Sequence, residues 1–436
     1  METTAKEITE HLLKPKDRTY VWHPFHHPTD LAPIPILKAQ GTYLFGYDGH
    51  PYMDAVSSWW VTLHGHCHPY ITESICRQAA NLEQVIFANF THAPAIELAE
   101  RLLTLSKLEN GKVFFCDNGS TAIEAALKIA LQYWHNKSPH IASKKVICFT
   151  NAYHGDTFGA MSAAGKTSLN RPFWPYLFSV ETIPPPISGK EELSINRLNE
   201  LLSENDVACF IFEPILQGVS GIMQKHSAEG LEALLKICHQ HHVIMIADEV
   251  MTGFGRTGPI LACDRLSIKP DMICLSKGLT GGFLPLGATI CRDEIYESFI
   301  SDKREHAFLH GHSFCGNPLA CAAANASIDL LMMDSCNQKR QKIEQSHRHF
   351  CEQWQNHPSF LRCETTGTIL VIEYATQDGR SYFSSYRDFL LQHFLQNDIF
   401  VRPFGNVLYI SPPYCITAED LAKIYKTIIS TVEKSP

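Results

Sequence analysis

The sequence predicts an α/β protein, in which helices cover both faces of a mainly parallel sheet. Short apolar runs alternate with helical segments through the middle of the chain, and these runs are apolar throughout. Strands of that kind are covered on both faces, and their alternation with helices is typical of parallel sheets. From about Asn317 the pattern changes to a long helical stretch and then to a smaller α+β region.

The predicted elements follow in chain order. Residues 44–49 carry a hairpin signal, and helical patterns cover residues 121–134, 231–239 and 318–333. The predicted strands lie at residues 113–116, 145–149, 208–212, 243–247, 272–275, 368–373 and 407–410. We expect the central strands to share one sheet, and ligands of such sheets bind at the carboxyl ends of the strands.

Composition excludes several classes of function. The chain has 436 residues, of which 45% are hydrophobic, so it can bury a large core. Its net charge is −8 without any block of Lys and Arg, so nucleic acid is not an expected partner. The sequence has no apolar run of membrane-spanning length, and its N-terminus is unlike a secretory signal. Fifteen scattered cysteines without a CxxC motif predict reduced thiols in the cytoplasm.

A lysine and a carboxylate follow two of the predicted strands. Lys277 lies in a Ser-Lys-Gly turn after strand 272–275, and Asp248 ends strand 243–247. A lysine amine can form a Schiff base, and a carboxylate at a strand end can keep a pyridinium nitrogen protonated. This pair predicts pyridoxal phosphate chemistry, although an isolated Ser-Lys-Gly is usually a surface loop.

Two further strand ends carry polar residues. Gly119 and Ser120 open a predicted helix, whose free N–H groups can bind an anion such as a phosphate. Thr121 and Glu124 have the spacing of a capping box. Tyr153, with His154 beside it, follows strand 145–149 and can stack on an aromatic ring or pack at a turn.

Two short motifs resemble a dinucleotide site and a zinc site, but the residues around them support neither. Residues 253–258 match the dinucleotide fingerprint, but they follow Asp248 without a helix opening behind them, so we interpret them as a flexible polar turn. His64, His66 and His68 alternate as zinc ligands can, but a proline follows at once and no second ligand cluster is evident. We expect no metal.

Tryptophans and an arginine offer groups for a substrate. We expect Trp59 and Trp60 to lie on an extended segment and to point to opposite faces, one into the core and one into a pocket, unless both are core residues. Arg402 lies among apolar residues, so it needs an anionic partner. A substrate carboxylate and a structural Asp or Glu serve equally well.

Together these residues resemble the class III aminotransferases, which have the fold type I architecture of pyridoxal phosphate enzymes. The resemblance covers nearly the whole chain and is carried by residues 57–60, 153–161, 248–258, 277–282, 316–325 and 401–404. It implies a large domain with a mainly parallel seven-stranded sheet and a smaller α+β domain. The implied division is an N-terminal segment packing with the small domain (1–62), a large cofactor-binding domain (63–325) and a C-terminal small domain (326–436).

The resemblance also implies an activity and a set of site residues. The tryptophan pair and the Tyr153 segment are similar to the branch that acts in biotin biosynthesis, moving an amino group from S-adenosylmethionine to 8-amino-7-oxononanoate. The implied catalytic residues are Lys277, Asp248 and Tyr153. Pyridoxal phosphate contacts are implied for these three with Gly119, Ser120, His312 and Ser313. Substrate contacts are implied for Trp59, Trp60, Tyr153, Lys277, Gly311 and Arg402. Because His312 and Ser313 reach the neighbouring subunit's phosphate, the resemblance implies a homodimer with active sites at its interface.

Four positions in three segments depart from the family pattern. Phe25 stands where Tyr is usual, His312 and Ser313 replace Pro and Thr, and Asn118 replaces Ser. Phe25 and His312 leave lysine open as the amino donor in place of S-adenosylmethionine. The sequence also leaves open a different class III reaction, such as that of an ω-amino acid aminotransferase, a cofactor-binding protein without turnover, and a dehydrogenase that uses the glycine-rich turn.

Overall fold

A computed structural model describes residues 10–27, 30–137, 144–203, 206–220, 222–376 and 382–433. The helices are α1 (Glu10–Tyr20), α2 (Ser57–Trp60), α3 (Pro69–Ala79), α4 (Ala93–Ser106), α5 (Gly119–Lys137), α6 (Phe158–Ala163), α7 (Glu191–Leu202), α8 (Ala228–Gln240), α9 (Asp293–Glu297), α10 (Pro318–Met332), α11 (Asp334–Trp354), α12 (Tyr386–Leu395) and α13 (Ala418–Glu433). The strands are β1 (Ile36–Gln40), β2 (Tyr43–Gly46), β3 (Pro51–Asp54), β4 (Lys112–Cys116), β5 (Lys145–Phe149), β6 (Glu181–Ile183), β7 (Val207–Phe212), β8 (Leu216–Gln217), β9 (Gln224–Lys225), β10 (Ile244–Asp248), β11 (Met272–Leu275), β12 (Gly287–Cys291), β13 (Phe360–Thr366), β14 (Ile369–Tyr374), β15 (Ile399–Phe400) and β16 (Val407–Ile410).

A seven-stranded sheet forms the centre of the molecule, with strand order β4-β12-β11-β10-β7-β5-β6. Neighbouring strands are parallel except at β12, which runs antiparallel to both β11 and β4. The α/β fold class and the five central strands predicted from the sequence are confirmed. Strand β12 was not predicted, because its run Gly-Ala-Thr-Ile-Cys begins with two residues that disfavour strands.

Side chains on this sheet alternate between two apolar layers. On β7, Phe210 and Phe212 pack into the core that includes α4, α7 and α8, while Cys209 and Ile211 pack under α5 and α6. Successive strand residues point to opposite faces, so a strand that is covered on both faces must be apolar throughout. This arrangement explains why the central strands lack a polar alternation.

Two smaller sheets complete the architecture. One has the order β1-β2-β3-β15, and β3 pairs in parallel with β15, so the N-terminal hairpin lies against a C-terminal strand. The other has the order β13-β14-β16. The predicted boundary after residue 325 falls inside α10, which packs Ala323 and Ala326 against Ile71 of α3. Because a helix packs as one unit, we propose that the small domain begins at the α10–α11 junction.

None of the described helices is by itself both long and apolar enough to cross a membrane. Helices α10 and α11 reach the necessary length and composition only as a pair, and that pair is bent by 70°. The predicted absence of a secretory signal rests partly on residues 1–9, which lie outside the described residues.

Candidate active site

A cavity of about 800 Å³ opens at the carboxyl edge of the seven-stranded sheet. Strands β4, β5, β7, β10 and β11 run in the same direction, so the loops that follow them meet at this edge. These loops supply much of the cavity wall, including Gly119, Ser120, Tyr153, His154, Glu213, Asp248 and Lys277. The arrangement gathers residues that are up to 158 positions apart in the chain.

Lys277 enters the cavity from a short 3₁₀ turn directly after β11, with a left-handed backbone angle φ of 46°. Its Nζ atom lies 4.6 Å from the centre of the Trp60 ring. Burial lowers the pKa of the Lys277 amine to about 8, while the nearby Asp248 and Glu213 carboxylates act in the opposite direction. About a tenth of this amine is therefore uncharged at pH 7, and a nucleophile requires the uncharged form.

Asp248 ends β10 and points into the cavity. Its Oδ2 lies 2.7 Å from Nδ1 of the buried His154, and its Oδ1 accepts the Val250 N–H at 3.0 Å. Two contacts from different loops therefore fix the carboxylate in one orientation. A fixed carboxylate of this kind can hold the protonated nitrogen of a heterocyclic ring.

Glu249 follows Asp248 but points to the opposite side, as alternation along a strand requires. Its carboxylate accepts the N–H groups of Ala262 at 3.0 Å and Cys263 at 2.7 Å, together with the Thr252 hydroxyl at 2.7 Å. Burial raises the pKa of Glu249, and these hydrogen bonds partly offset that effect. Glu249 thus anchors the loop behind the cavity.

Glu213 connects two loops of the cavity and was not predicted from the sequence. Its Oε1 accepts the Tyr153 N–H at 3.0 Å, and its Oε2 accepts the Gly218 N–H at 2.7 Å. Burial raises the pKa of Glu213 to about 7, with Asp248 adding to the rise and His154 opposing it. The carboxylate holds the loop after β5 against the loop after β7.

The residue that caps the start of α5 is Asn118, three residues before the predicted Thr121. Asn118 and Thr121 bond reciprocally, since the Thr121 N–H donates to Asn118 Oδ1 at 3.0 Å and the Asn118 N–H donates to Thr121 Oγ1 at 3.1 Å. The predicted box between Thr121 and Glu124 is wrong. Glu124 instead accepts the Thr157 hydroxyl at 2.6 Å and the Gly159 N–H at 2.7 Å, so it anchors the loop before α6.

Small residues allow close contacts at this helix start. A Cβ atom at Gly119 would lie 2.8 Å from Val250 Cγ1, and one at Gly155 would lie 2.1 Å from Ser120 Oγ. The N–H groups of Gly119 and Ser120 have no acceptor within the described chain. They present two free donors at the positive end of a helix dipole, which is a site for an anion.

Comparison with known proteins identifies the family. The family described as aminotransferase class-III matches residues 25–432. The chain belongs to the class III aminotransferases. A relative from Synechococcus elongatus, named adenosylmethionine-8-amino-7-oxononanoate aminotransferase, is 43% identical over 424 residues, which cover 95% of this chain and 99% of that protein.

Solved structures place this aminotransferase in the same fold. The adenosylmethionine-8-amino-7-oxononanoate aminotransferase of Methanocaldococcus jannaschii superimposes with a TM-score of 0.90 at 31% identity, covering 98% of this chain and 99% of that chain. An amine transaminase from an uncultivated Pseudomonas species, solved in its PLP-bound form, gives a TM-score of 0.85 at 25% identity, with 96% and 99% of the two chains covered. The fold type I architecture is thereby confirmed.

Family membership implies pyridoxal phosphate as the cofactor, and the cavity of this aminotransferase fits such a group. Lys277 offers a partly neutral amine, and Asp248 offers a carboxylate held by two contacts. Gly119 and Ser120 offer free N–H donors for a phosphate. Amine, carboxylate and anion site therefore line one cavity of suitable size.

The tryptophan pair does not lie on an extended segment, so that expectation is wrong. Residues 57–60 form a left-handed turn, with φ between 44° and 73° at four successive residues that are not glycine. Ser57 Oγ donates to the Ser411 carbonyl at 2.7 Å, and Ser58 Oγ donates to Asp54 Oδ2 at 2.8 Å. These bonds hold a conformation that costs roughly 1–2 kcal/mol per residue.

The turn still separates the two indoles. Trp60 is buried and packs on Phe404 and Tyr409, with ring centres 6.1 and 5.2 Å away. Trp59 is half-buried at the cavity rim and meets the Phe25 ring edge-on at 5.3 Å. Both indoles line the cavity, and the Lys277 Nζ atom lies over the Trp60 ring.

Arg402 is not among the residues that line the cavity, but it contacts Trp59 and Phe25, which line its rim. Its guanidinium stands 4.4 Å from the Trp59 ring centre, and its Nη2 donates to the Phe25 carbonyl at 3.1 Å. Within the described chain it has no carboxylate at ion-pair distance, and its buried Nε has no hydrogen-bond partner. The structural Asp or Glu that the sequence left open is therefore absent from the described residues.

The glycine-rich segment 253–258 is a turn, as predicted, but residues 253–257 are buried. Arg256 in this turn is 1% exposed and donates to the carbonyls of Pro412 at 2.9 Å and Trp60 at 3.3 Å. Its guanidinium also lies 5.0 Å from the Tyr414 ring centre. The segment joins the loop behind the cavity to the small domain and does not form a dinucleotide site.

Two of the three alternating histidines form separate hydrogen bonds, and the His68 ring lies edge-on to the His64 ring at 6.3 Å. His64 Nε2 pairs with Ser327 Oγ at 3.2 Å, and His66 Nε2 pairs with Asp54 Oδ2 at 2.9 Å. Burial lowers the pKa of His64 to about 3. Among the described residues, no group of three or more His, Cys, Asp or Glu side chains could hold a metal ion.

Gly311, His312 and Ser313 do not line the cavity of their own chain. Gly311 and Ser313 are exposed, and His312 Nε2 lies 3.6 Å from Asp117 Oδ1 near the start of α5. Beside them Leu309 is 83% exposed and Phe314 is 61% exposed. Their predicted role in a neighbouring subunit stays a prediction.

Proposed function

We propose that this aminotransferase transfers an amino group from S-adenosylmethionine to 8-amino-7-oxononanoate in biotin biosynthesis, giving 7,8-diaminononanoate. The names of the relatives that cover almost the whole chain support this reaction. The observation that carries it is the rim formed by Arg402, Trp59 and Phe25 beside the Lys277 cavity. That rim combines an arginine without a carboxylate partner among the described residues and an apolar wall, which suits an acceptor with an acid group on an alkyl chain.

The proposed cofactor, pyridoxal phosphate, supplies an electrophilic carbon and a ring that can store an electron pair. Lys277 would hold it through Nζ. The Lys277 amine, once free, would take the proton from the donor carbon and return it. Its lowered pKa supports this role, because about a tenth of such an amine is neutral at pH 7.

Asp248 is proposed to keep the ring nitrogen protonated. His154 and the Val250 N–H support this role by fixing both carboxylate oxygens. Gly119 and Ser120 are proposed to bind the phosphate through their free N–H groups. Tyr153 is proposed to flank the ring, and its backbone is held by Glu213.

The substrate side is proposed to use Trp59, Trp60, Tyr153 and Arg402, with Arg402 binding the acceptor's carboxylate. A bidentate pair there would replace the single bond from Arg402 to the Phe25 carbonyl. Trp59 and Trp60 would keep water from the reacting atoms, since both contribute apolar surface to the cavity.

We also propose a homodimer with active sites at its interface. His312 and Ser313 of each subunit would reach the phosphate in the other subunit's site, and Gly311 would lie near its substrate. Their exposure beside Leu309 and Phe314 supports this arrangement, because exposed apolar side chains next to polar ones are typical of interfaces. A cytoplasmic location is proposed as well, supported by fifteen cysteines that are all free thiols.

The first test adds S-adenosylmethionine alone to purified, cofactor-loaded protein. We expect the visible absorption of the bound cofactor to disappear and one equivalent of keto product to form. Later addition of 8-amino-7-oxononanoate should restore the absorption and yield 7,8-diaminononanoate. Absorption that persists with S-adenosylmethionine would contradict this donor.

Lysine is the second candidate donor, because Phe25 places a ring without a hydroxyl at the rim. The same assay with lysine, in place of S-adenosylmethionine, separates the two donors. A Phe25→Tyr variant provides the matched control. If loss of the hydroxyl has shifted donor choice, this variant should favour S-adenosylmethionine more strongly than the natural chain does.

A further inference from the structure

We propose that Asp54 is a positioning residue for the substrate side of the cavity, where it holds Trp59 through the left-handed turn at Ser57–Trp60. This proposal rests on the proposed function, in which Trp59 belongs to the substrate side. Asp54 ends β3, is 0% exposed and is not among the residues that line the cavity. Its influence on a substrate must therefore pass through the residues that its carboxylate holds.

The turn needs support from outside because its backbone is strained. Its four successive residues, none of them glycine, have φ between 44° and 73°, a region that such residues rarely adopt. A strained conformation of this kind persists only where surrounding contacts determine it, and it is found preferentially at functional sites. The contacts that hold this turn therefore decide where its two indoles point.

The Asp54 carboxylate joins the chain before, within and after the turn. Its Oδ1 accepts the Val56 N–H at 3.1 Å, and its Oδ2 accepts the Ser58 hydroxyl at 2.8 Å. Oδ2 also lies 2.9 Å from Nε2 of His66. His66 is itself fixed, because its N–H donates to the Gly41 carbonyl at 2.7 Å and its carbonyl accepts the Gly41 N–H at 3.2 Å. Three contacts thus give the carboxylate one orientation and bond the turn to it.

Strand pairing places the same carboxylate beside the segment that carries Arg402. Asp54 pairs with Phe400 of β15, and Arg402 follows two residues later. The Arg402 guanidinium stands 4.4 Å from the Trp59 ring centre. One buried residue therefore ties the turn before Trp59 to the strand before Arg402. It sets the contact at which the acid group and the alkyl chain of the proposed acceptor would bind.

The test is a double-mutant cycle between Asp54 and Trp59, with the affinity of cofactor-loaded protein for nonanoate measured by calorimetry. Nonanoate carries a carboxylate and an alkyl chain but no reacting group. Asp54→Asn keeps the size of the side chain and removes one of its two acceptor oxygens, so the Kd for nonanoate should rise about tenfold. In a Trp59→Ala background the same substitution should change the Kd less than about twofold, because Asp54 acts through that indole.

Ser58→Ala is a second variant, which leaves Asp54 in place and removes only the bond to the turn. It should raise the Kd about threefold in the natural chain and less than about twofold beside Trp59→Ala. Glu373→Gln is the matched control, because Glu373 is a 5% exposed carboxylate whose Oε2 lies 3.3 Å from Arg362 Nε, and it is not among the residues that line the cavity. It should lower the urea midpoint of unfolding, as Asp54→Asn does, and leave the nonanoate Kd within about twofold of the natural value.

The outcomes separate this role from the proposed reaction. The KM for 8-amino-7-oxononanoate should follow the nonanoate Kd, while kcat changes less than about threefold. If Asp54→Asn weakens nonanoate binding by the same factor in both backgrounds, or leaves it unchanged, or if the natural chain does not bind nonanoate, the positioning role is overturned even where transamination proceeds. Should Asp54→Asn fail to fold, the same comparison with Ser58→Ala decides. If the expected coupling is found but 8-amino-7-oxononanoate is not transaminated, the positioning role stands and the proposed acceptor fails.

Discussion

At the scale of single residues, position on a strand assigns different roles to identical groups. Asp248 and Glu249 are adjacent carboxylates at the end of β10, yet one faces the cavity and the other anchors a loop. His154 and Glu213 support the cavity residues, and their sequence signal was only that each follows a predicted strand. Acidic and imidazole groups at strand ends are therefore the candidates to examine for such support.

We expect Asp248→Asn to lower activity and Glu249→Gln to lower stability. Asp248→Asn removes the charge that holds a ring nitrogen, so transition-state stabilisation should fall by about 3 kcal/mol, or roughly a hundredfold in kcat. Glu249→Gln breaks the hydrogen bonds of a buried anchor, so the free energy of unfolding should fall by about 1–3 kcal/mol. Kinetics and urea unfolding of both variants test this expectation. Equal loss of activity and stability in the two variants would refute the assigned roles.

Glu213 should make stability depend on pH. Its folded-state pKa of about 7 exceeds the ordinary 4.5, so the folded protein binds more protons between these values. The free energy of unfolding therefore falls as pH rises through this window, by an amount approaching about 3 kcal/mol above pH 7. Relative to Glu213→Gln, the natural chain should lose about 2 kcal/mol between pH 5 and pH 8 in urea unfolding.

A control variant separates this effect from the general pH response. Glu419→Gln changes an exposed carboxyl at the start of α13 and should follow the natural chain at both pH values. If Glu213→Gln also keeps a constant difference from the natural chain between pH 5 and pH 8, the Glu213 carboxyl does not bind its proton as the structure indicates.

At the scale of elements, loops at the carboxyl edge are shaped by bonds that short motifs do not reveal. The α5 start is capped by Asn118, and Glu124 is free to hold the next loop. The turn at Ser57–Trp60 adopts a left-handed form that no local propensity favours. The turn depends on a partner that is distant in sequence, since Ser57 bonds to the Ser411 carbonyl. The start of α5 depends on which of two neighbouring residues, Asn118 or Thr121, caps the helix.

The cap at α5 gives a prediction for that element. Asn118→Ala should lower the free energy of unfolding by about 1 kcal/mol, because the Thr121 N–H loses its acceptor. Asn118→Ser should remain within about 0.5 kcal/mol of the natural chain because serine caps as well as asparagine does. Urea unfolding of both variants provides the measurement. A cap at Thr121 and Glu124 instead would leave the stability of Asn118→Ala unchanged.

At the scale of the whole molecule, the active site joins parts that are remote in sequence. The N-terminal strand β3 pairs with β15, and Arg402 just beyond β15 donates to the Phe25 carbonyl. This pairing brings the proposed substrate rim over a cavity built by the large sheet. The proposed dimer would add a further contribution, from the exposed segment that holds His312 and Ser313.

Hybrid dimers test whether that contribution comes from the neighbouring subunit. Lys277→Ala and the double variant His312→Ala/Ser313→Ala should each show little turnover as pure dimers. Co-expressed with separate tags and purified as hybrids, they should recover about half the natural activity, because one of the two sites then combines an intact Lys277 with an intact partner loop. Hybrids that remain as inactive as the parents would show that the loop serves its own chain.

The sequence alone predicted the α/β class, most central strands and the pair of Lys277 and Asp248, because apolar runs and strand ends are local signals. It failed where a choice depended on distant contacts. The capping partner of α5, the conformation of Ser57–Trp60 and the polar surroundings expected for residues 253–258 were all misjudged. Glu124 bonds to the Gly159 N–H instead of capping α5, Ser57 bonds to the Ser411 carbonyl, and Arg256 bonds to the Pro412 carbonyl, all of which lie elsewhere in the chain.

The sequence by itself determined which chemical groups this aminotransferase has and the edge of the sheet at which they gather. Only the tertiary structure decided which of two adjacent carboxylates faces the cavity and which residues hold it. It also showed that Arg402 has no carboxylate partner among the described residues. The reason is physical: periodicity reports burial along one element, whereas orientation and pairing depend on where the rest of the chain packs.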